Sequence, residues 1–167
     1  MRISGKPLFN LTAADLMNEE VETIPPWMTL PAAARMLARS HISGAPVVNP
    51  EGECVGVIST TDFMTWAEKG EAAGKKYASA DVYAPWQIVD DDNFTANSVR
   101  GHMTADPVTV SPQESIGELA QKMVDAHIHR LIVVNEENKP LGVVSTTDIL
   151  AALANAVNSK RQLERRS

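Results

Sequence analysis

Val55-Gly56-Val57-Ile58-Ser59-Thr60-Thr61-Asp62 returns 86 residues later as Leu141-Gly142-Val143-Val144-Ser145-Thr146-Thr147-Asp148. Working outward from this pair, Thr12 to Phe63 matches Ser98 to Ile149 at the same offset without a gap. Met17 falls on Met103, His41-Ile42 on His127-Ile128, and Val47-Val48-Asn49 on Val133-Val134-Asn135. A repeat of this length is one supersecondary unit that cannot bury its apolar face alone, so the copies are expected to pack together. At 167 residues the chain is near the size of one domain, which favours a single compact body.

Each copy has the layout of a βαβ-type unit. A short extended piece, Val21 to Ile24 or Val108 to Val110, follows Met17 or Met103. A helix comes next: Ile116, Leu119, Ala120 and Met123 fall at i, i+3, i+4 and i+7, and Leu30, Ala33, Ala34 and Leu37 repeat the stripe. Two starts compete for the second helix, a capping box at Ser111-Pro112-Gln113-Glu114 and a cap at Ser115. The β-branched runs Ala45 to Val48 and Leu131 to Val134, a turn, and a second apolar run predict a β-hairpin. A last helix carries Phe63, Met64 and Trp66, or Ile149, Leu150 and Leu153. The chain therefore divides into an N-terminal extension (1–11), repeat 1 (12–67), a connection (68–97), repeat 2 (98–157) and a C-terminal tail (158–167). The connection is long for a compact domain, and Tyr83, Trp86, Ile88 and Phe94 are expected to pin it by packing; it also holds the acidic run Asp90-Asp91-Asp92.

Composition removes several classes of function. A hydrophobic content of 44% and a charged content of 22% belong to a globular chain. The net charge of -6 argues against a nucleic-acid partner, which requires Lys and Arg spread over phosphates. Lys160-Arg161 and Arg165-Arg166 are expected to be a solvated helix end. Cys54 is the only cysteine, so no internal disulfide forms; it sits in an apolar strand and reads as a buried small hydrophobe in a reducing compartment. With no apolar leader and no long apolar stretch, the expectation is a cytoplasmic protein without membrane contact.

Ser59-Thr60-Thr61-Asp62 and Ser145-Thr146-Thr147-Asp148 sit where a strand enters a helix. Ser-x-x-Asp there is a capping arrangement, the acid complementing the positive end of the dipole. The same physics also suits a ligand: helix-start N–H groups and hydroxyls bind phosphate, and a carboxylate accepts from ribose hydroxyls. Both readings stand on these residues alone. Arg130, between an amphipathic helix and an apolar strand, is open to an anion or to a salt bridge. His127-x-His129 lacks a third ligand, so no metal site is expected. No Walker A loop, dinucleotide-binding glycine pattern, His-Glu-x-x-His or nucleophile elbow occurs, so no catalytic residues are assigned.

In the order extended piece, helix, strand, strand, helix, occurring twice, the chain resembles the CBS-domain family, named for cystathionine β-synthase. The resemblance rests on the Gly-Val-Ile-Ser-Thr-Thr-Asp and Gly-Val-Val-Ser-Thr-Thr-Asp ends, on Ile128-His129-Arg130-Leu131-Ile132-Val133-Val134 and on Met103-Thr104-Ala105-Asp106-Pro107-Val108-Thr109-Val110. It implies an α/β (α+β) fold of tandem β-α-β-β-α repeats forming a pseudo-two-fold pair, also called a Bateman module, with two clefts for adenosyl ligands: AMP, ADP, ATP or S-adenosylmethionine. By family pattern one cleft combines Val57, Ser59, Thr61, Asp62, Met103, Asp106, Val108, His129, Arg130 and Leu131. The other combines Met17, Glu20, Glu22, Ser43, Gly44, Val143, Ser145, Thr147 and Asp148. Gly44 stands where the second copy has Arg130, and Glu22 where it has Val108; an acid facing an anion raises the cost of binding, so the first cleft is expected to be the better site. The resemblance further implies a regulatory, non-catalytic module that needs no cofactor and forms a homodimer with an unidentified protein partner to read it. The rival is a ligand-free scaffold for dimerisation or docking, in which Ser-Thr-Thr-Asp only caps helices.

Overall fold

The computed structural model describes residues 6–73 and 97–164. The first copy supplies α1 (Ala13–Leu16), α2 (Leu30–Arg39), β1 (Gly44–Val48), β2 (Cys54–Ser59) and α3 (Thr60–Ala73). The second supplies β3 (Thr104–Ala105), β4 (Thr109–Val110), α4 (Ile116–Asp125), β5 (Arg130–Val134), β6 (Pro140–Ser145) and α5 (Thr146–Glu164). The strands make two three-stranded sheets, ordered β1-β2-β3 and β4-β5-β6. This is the α+β class that the repeat predicts.

Two compact units result, and each draws on both copies. Among the described residues, unit 1 holds 6–21, 52–54 and 107–164, and unit 2 holds 22–51, 55–73 and 97–106. The opening segment of each copy has been exchanged. In unit 1, Asn18 bridges Val143 of β6 antiparallel, with N–H···O distances of 3.0 and 3.1 Å, and Thr12 bridges Ser115. In unit 2, β3 pairs antiparallel with β2, Thr104 opposite Val57 and Ala105 opposite Gly56, while Ser98 bridges Thr29. The parallel pairing of β4 with β5, Val110 opposite Val133, has its counterpart in the bridge from Ile24 to Val47.

The glycine of the repeated octapeptide makes the exchange sterically possible. A Cβ on Gly142 would lie 2.5 Å from Met17 Sδ and 2.7 Å from its Cγ; one on Gly56 would lie 2.6 Å from Met103 Sδ and 2.9 Å from the Thr104 carbonyl oxygen. Each methionine of an exchanged segment therefore rests on a glycine of the strand that receives it.

The exchanged segments also complete the cores. Leu11, Ala13 and Leu16 pack with Ile116, Leu119 and Met123 of α4 and with Leu131, Val133 and Val144 of the sheet. In unit 2, Val99 joins Leu30, Ala33 and Leu37 of α2 and Ala45, Val47 and Ile58. The expected helix stripes are thus buried, with Ala34 and Ala120 half-buried at their edges. Of the two starts for α4, Ser115 caps the helix: its N–H and hydroxyl donate to Glu118 Oε2, both at 2.8 Å, and Glu118 N–H donates back to Ser115 Oγ. Ser111 makes a separate turn one step earlier, donating its N–H to Glu114 Oε1 at 3.0 Å.

In the last helices the apolar residues are divided between core and surface. Phe63, Trp66 and Ile149 pack on the cores, but Met64, Leu150 and Leu153 are exposed by 65%, 63% and 47%. Their apolar residues occupy two faces, and in α5 it is Ala152 that is fully buried. Helix α3 runs to Ala73, past the boundary expected at 67, and α5 runs to Glu164, so the tail begins as a continuation of helix. Tyr83, Trp86, Ile88, Phe94 and the run Asp90-Asp91-Asp92 lie outside the described residues.

Gly142→Ala and Gly56→Ala are each expected to destabilise the chain by about 1–3 kcal/mol in urea unfolding, as overpacking does. Gly117→Ala is the control. Its Cβ would meet only Ser115 Oγ at 4.0 Å, and Ala in a helix is better than Gly by about 0.5–1 kcal/mol.

Candidate ligand-binding site

Strand β2 runs directly into α3, and β6 into α5, so the last strand residue caps the helix. The Ser59 N–H and hydroxyl both donate to Asp62 Oδ2, at 2.7 and 2.8 Å. The Ser145 N–H and hydroxyl donate to Asp148 Oδ2, at 2.8 and 2.6 Å, and Asp148 N–H donates to Ser145 Oγ at 3.3 Å. The next N–H is taken by the residue just before the first strand of the hairpin: Thr60 donates to the Ser43 carbonyl at 2.9 Å and Thr146 to that of His129 at 3.0 Å.

The capping box is reciprocal at Ser145, and at Ser59 its half in which the aspartate accepts from the serine is present. The chain uses the same box elsewhere. Thr12 N–H and hydroxyl donate to Asp15 Oδ2, both at 3.0 Å; the Lys6 ammonium, 2.8 Å away, is the main cause holding that carboxyl below its ordinary range. At Ser115, the backbone N–H and then the hydroxyl lower Glu118 in the same way. A cap nevertheless does not exhaust the carboxylate. Asp62 and Asp148 both spend Oδ2 on the serine, and their Oδ1 atoms accept no hydrogen bond among the described residues. Thr61 and Thr147 are exposed beside them.

The residues expected in each cleft are divided between the units. Unit 2 holds Val57, Ser59, Thr61, Asp62, Met103 and Asp106 from the first set, and Glu22, Ser43 and Gly44 from the second. Unit 1 holds Val108, His129, Arg130 and Leu131 from the first, and Met17, Glu20, Val143, Ser145, Thr147 and Asp148 from the second. Arg130 opens β5 directly across from Ser145 and is exposed, with no side-chain hydrogen bond or ion pair among the described residues. Val57 and Val143 are half-buried, Val108 is 42% exposed, and Glu20, Ser43, Asp106 and His129 are exposed. Glu22 is also exposed and accepts from the Ser40 hydroxyl at 3.3 Å.

Leu131 contrasts with these exposed residues. It is fully buried in the core of unit 1, because β5 is the middle strand and Leu131, Ile132 and Val133 are all covered. Met17 and Met103 are half-buried and seated over Gly142 and Gly56. The roles of those glycines went unassigned in the sequence, although Met and Gly recur at the common offset and signal the fit. Asn18 and Thr104, which pair with the strand, carry no such signal.

Steric room separates the two copies at the basic position. A Cβ on Gly44 would lie 2.8 Å from the Ile58 carbonyl oxygen and 3.3 Å from Ser59 Cα. No side chain fits there without moving β1, whereas Arg130 projects freely.

His127 has a conformational role. α2 and α4 both end in a Schellman turn: Ile42 N–H reaches the Leu37 carbonyl and Ile128 N–H that of Met123, each at 3.0 Å. His41 and His127 occupy the left-handed position of these turns, both with φ of 53°. No group of three or more His, Cys, Asp or Glu among the described residues is placed to hold a metal. Nor is any helix among them long and apolar enough to cross a membrane.

Residues 13–69 and 98–155 each match the CBS domain, and the chain belongs to the CBS domain family. The uncharacterized protein MJ1232 of Methanocaldococcus jannaschii is 31% identical over 145 residues, 87% of this chain; the chain spans only 40% of that relative's length. The crystal structure of CBSX2 of Arabidopsis thaliana in complex with AMP superposes with a TM-score of 0.67 at 20% identity, covering 86% of this chain and 96% of CBSX2. The CBS domain pair of protein MJ0100, in complex with 5′-methylthioadenosine and S-adenosyl-L-methionine, gives 0.66 at 20% identity, covering 87% and 97%.

A left-handed conformation costs a residue with a Cβ about 1–2 kcal/mol and glycine little. His41→Gly and His127→Gly are each expected to raise stability by roughly 0.5–1 kcal/mol. A rise of a few degrees in the thermal midpoint checks this.

Proposed function

We propose that the chain is a regulatory module that binds an adenosyl ligand and passes on the event by a change of conformation or association. The observation that carries this is the twin Ser-x-x-Asp box, in which each aspartate caps a helix with one oxygen and keeps the other unused. A free carboxylate oxygen beside a helix N-terminus and an exposed threonine suits a ribose diol next to a polar or charged tail. Support also comes from the fold shared with proteins crystallised with AMP, 5′-methylthioadenosine and S-adenosyl-L-methionine. Such a ligand regulates only if its affinity differs between the two states of the module.

The two copies are proposed to bind unequally. Arg130 offers a guanidinium to an anionic tail, Gly44 has no room for one, and Glu22 places an acid where the other copy has Val108. The set named for Asp62, Met103 and Val108 is then the better site.

We propose further that the chain is a homodimer. On unit 1 an apolar groove of about 560 Å³ lies between α4 and α5, lined by Val124, Ile128, Ile149 and Leu150 among others. Leu150, Leu153 and Val157 extend it along α5 as an exposed row. Rows of this kind seldom stay in water on a monomer. Leu150→Glu is expected to shift sedimentation from dimer to monomer with the circular dichroism unchanged; a monomeric native chain overturns the homodimer.

Calorimetry with AMP, ATP and S-adenosylmethionine tests the ligand. Binding by the native chain, at least tenfold weaker in Asp62→Ala, with one ligand bound more tightly than a second, is the expected result. Heat with none of the three favours the rival, a ligand-free scaffold. Two equal, independent sites overturn the asymmetry alone.

A further inference from the structure

We infer that a second copy of the chain docks through α5 itself, α5 of one protomer packing on α5 of its partner across a two-fold axis; this rests on the homodimer proposed above and assigns its orientation. Leu150, Leu153, Ala154 and Val157 of α5 fall at i, i+3, i+4 and i+7, and all four are exposed. A stripe with this spacing ordinarily faces a core. Here the core of unit 1 is served by another face of the same helix, through Ile149 and Ala152. From Ile149 to Ser159 the helix holds no charged residue. Beside it the 3-10 turn Leu8–Asn10 packs against both α4 and α5 and carries Phe9, also exposed.

The twin helix is different. The offset of 86 places Met64, Ala67 and Glu68 of α3 where α5 has Leu150, Leu153 and Ala154, and Glu68 is exposed. A two-fold axis brings the same patch of both protomers together. Two α5 stripes then meet with no charge on either side. Seating α5 on the partner's α3 would instead cover Glu68 with leucine, alanine and valine, and this stretch of α5 has no cation to receive the carboxylate. Burying an unpaired carboxylate is costly. The chain as a whole carries a net charge of -6, so a neutral face is also where two copies repel each other least.

Disulfide trapping on the full chain tests this. Leu153, Ala154 and Val157 of α5 are replaced by Cys one at a time, and so are Met64, Ala67 and Glu68 of α3; the native chain, whose single Cys54 is buried, is the blank. Under mild oxidation at least one α5 variant is expected to convert by itself to a covalent dimer, and the link is expected to vanish when Leu150→Glu is added. A link that survives Leu150→Glu overturns the inference as random collision. A covalent dimer that forms only when an α5 variant is mixed with an α3 variant overturns it too, because the copies then meet α5 to α3. So does a native chain that sediments as a dimer while no α5 variant links, since another face then holds the copies. A monomeric native chain sinks the homodimer itself, which separates the two failures.

Discussion

The structure depends on the exchange of opening segments between the copies. Asn18 pairs with Val143 and Thr104 with Val57, and each pairing brings a methionine down onto the glycine one residue before that valine. Without Leu11, Ala13 and Leu16, the sheet of unit 1 would have an open edge at β6 and an unfilled core; Val99 does the same service in unit 2. Neither repeat closes its own core from its own sequence. The duplication therefore serves a structural need, since each core takes residues from the other copy: Leu11, Ala13 and Leu16 in unit 1, and Val99 in unit 2.

That constraint also fixes the candidate site. Because β2 and β6 are held by an exchanged segment, their last residues, Ser59 and Ser145, enter the helices with defined geometry and become caps. Capping and binding draw on the same unsatisfied helix-start donors, so one tetrapeptide serves both. What distinguishes these boxes from the one at Ser115 is the acid. Aspartate is one methylene shorter than Glu118, which keeps its second oxygen near the helix start, and it recurs in both copies.

Much of this was legible in the sequence because the physics is periodic. The stripes Leu30, Ala33, Leu37 and Ile116, Leu119, Met123 repeat at helical spacing, and the strand runs are long enough to show. The exchange was not legible. Strand β3 is two residues long, Asn18 makes an isolated bridge, and neither length carries an alternation; the register is set by Met17 and Met103 fitting over glycines. The exposure of Leu150 and Leu153 was hidden for another reason. Apolar residues on two faces of one helix look alike in sequence, and only Ala152 and Ile149 turn inward. The burial of Leu131 beside the exposed Arg130 was not legible either, because only the pairing shows that β5 is the middle strand and is covered from Leu131 to Val133.

The difference between the copies has a backbone origin. Where β5 opens with Arg130 opposite Ser145, the twin position carries Gly44, whose backbone approaches the Ile58 carbonyl so closely that a Cβ would sit 2.8 Å from it. The missing cation is therefore more than a surface substitution. Restoring a guanidinium at 44 would require β1 to move away from β2, disturbing Ala45 and Val47 in the core of unit 2. A protein interior is dense enough to resist such movement, so the copies can diverge in charge only as far as their strand packing permits. The electrostatic inequality of the two halves is held in place by the tight pairing that makes them alike.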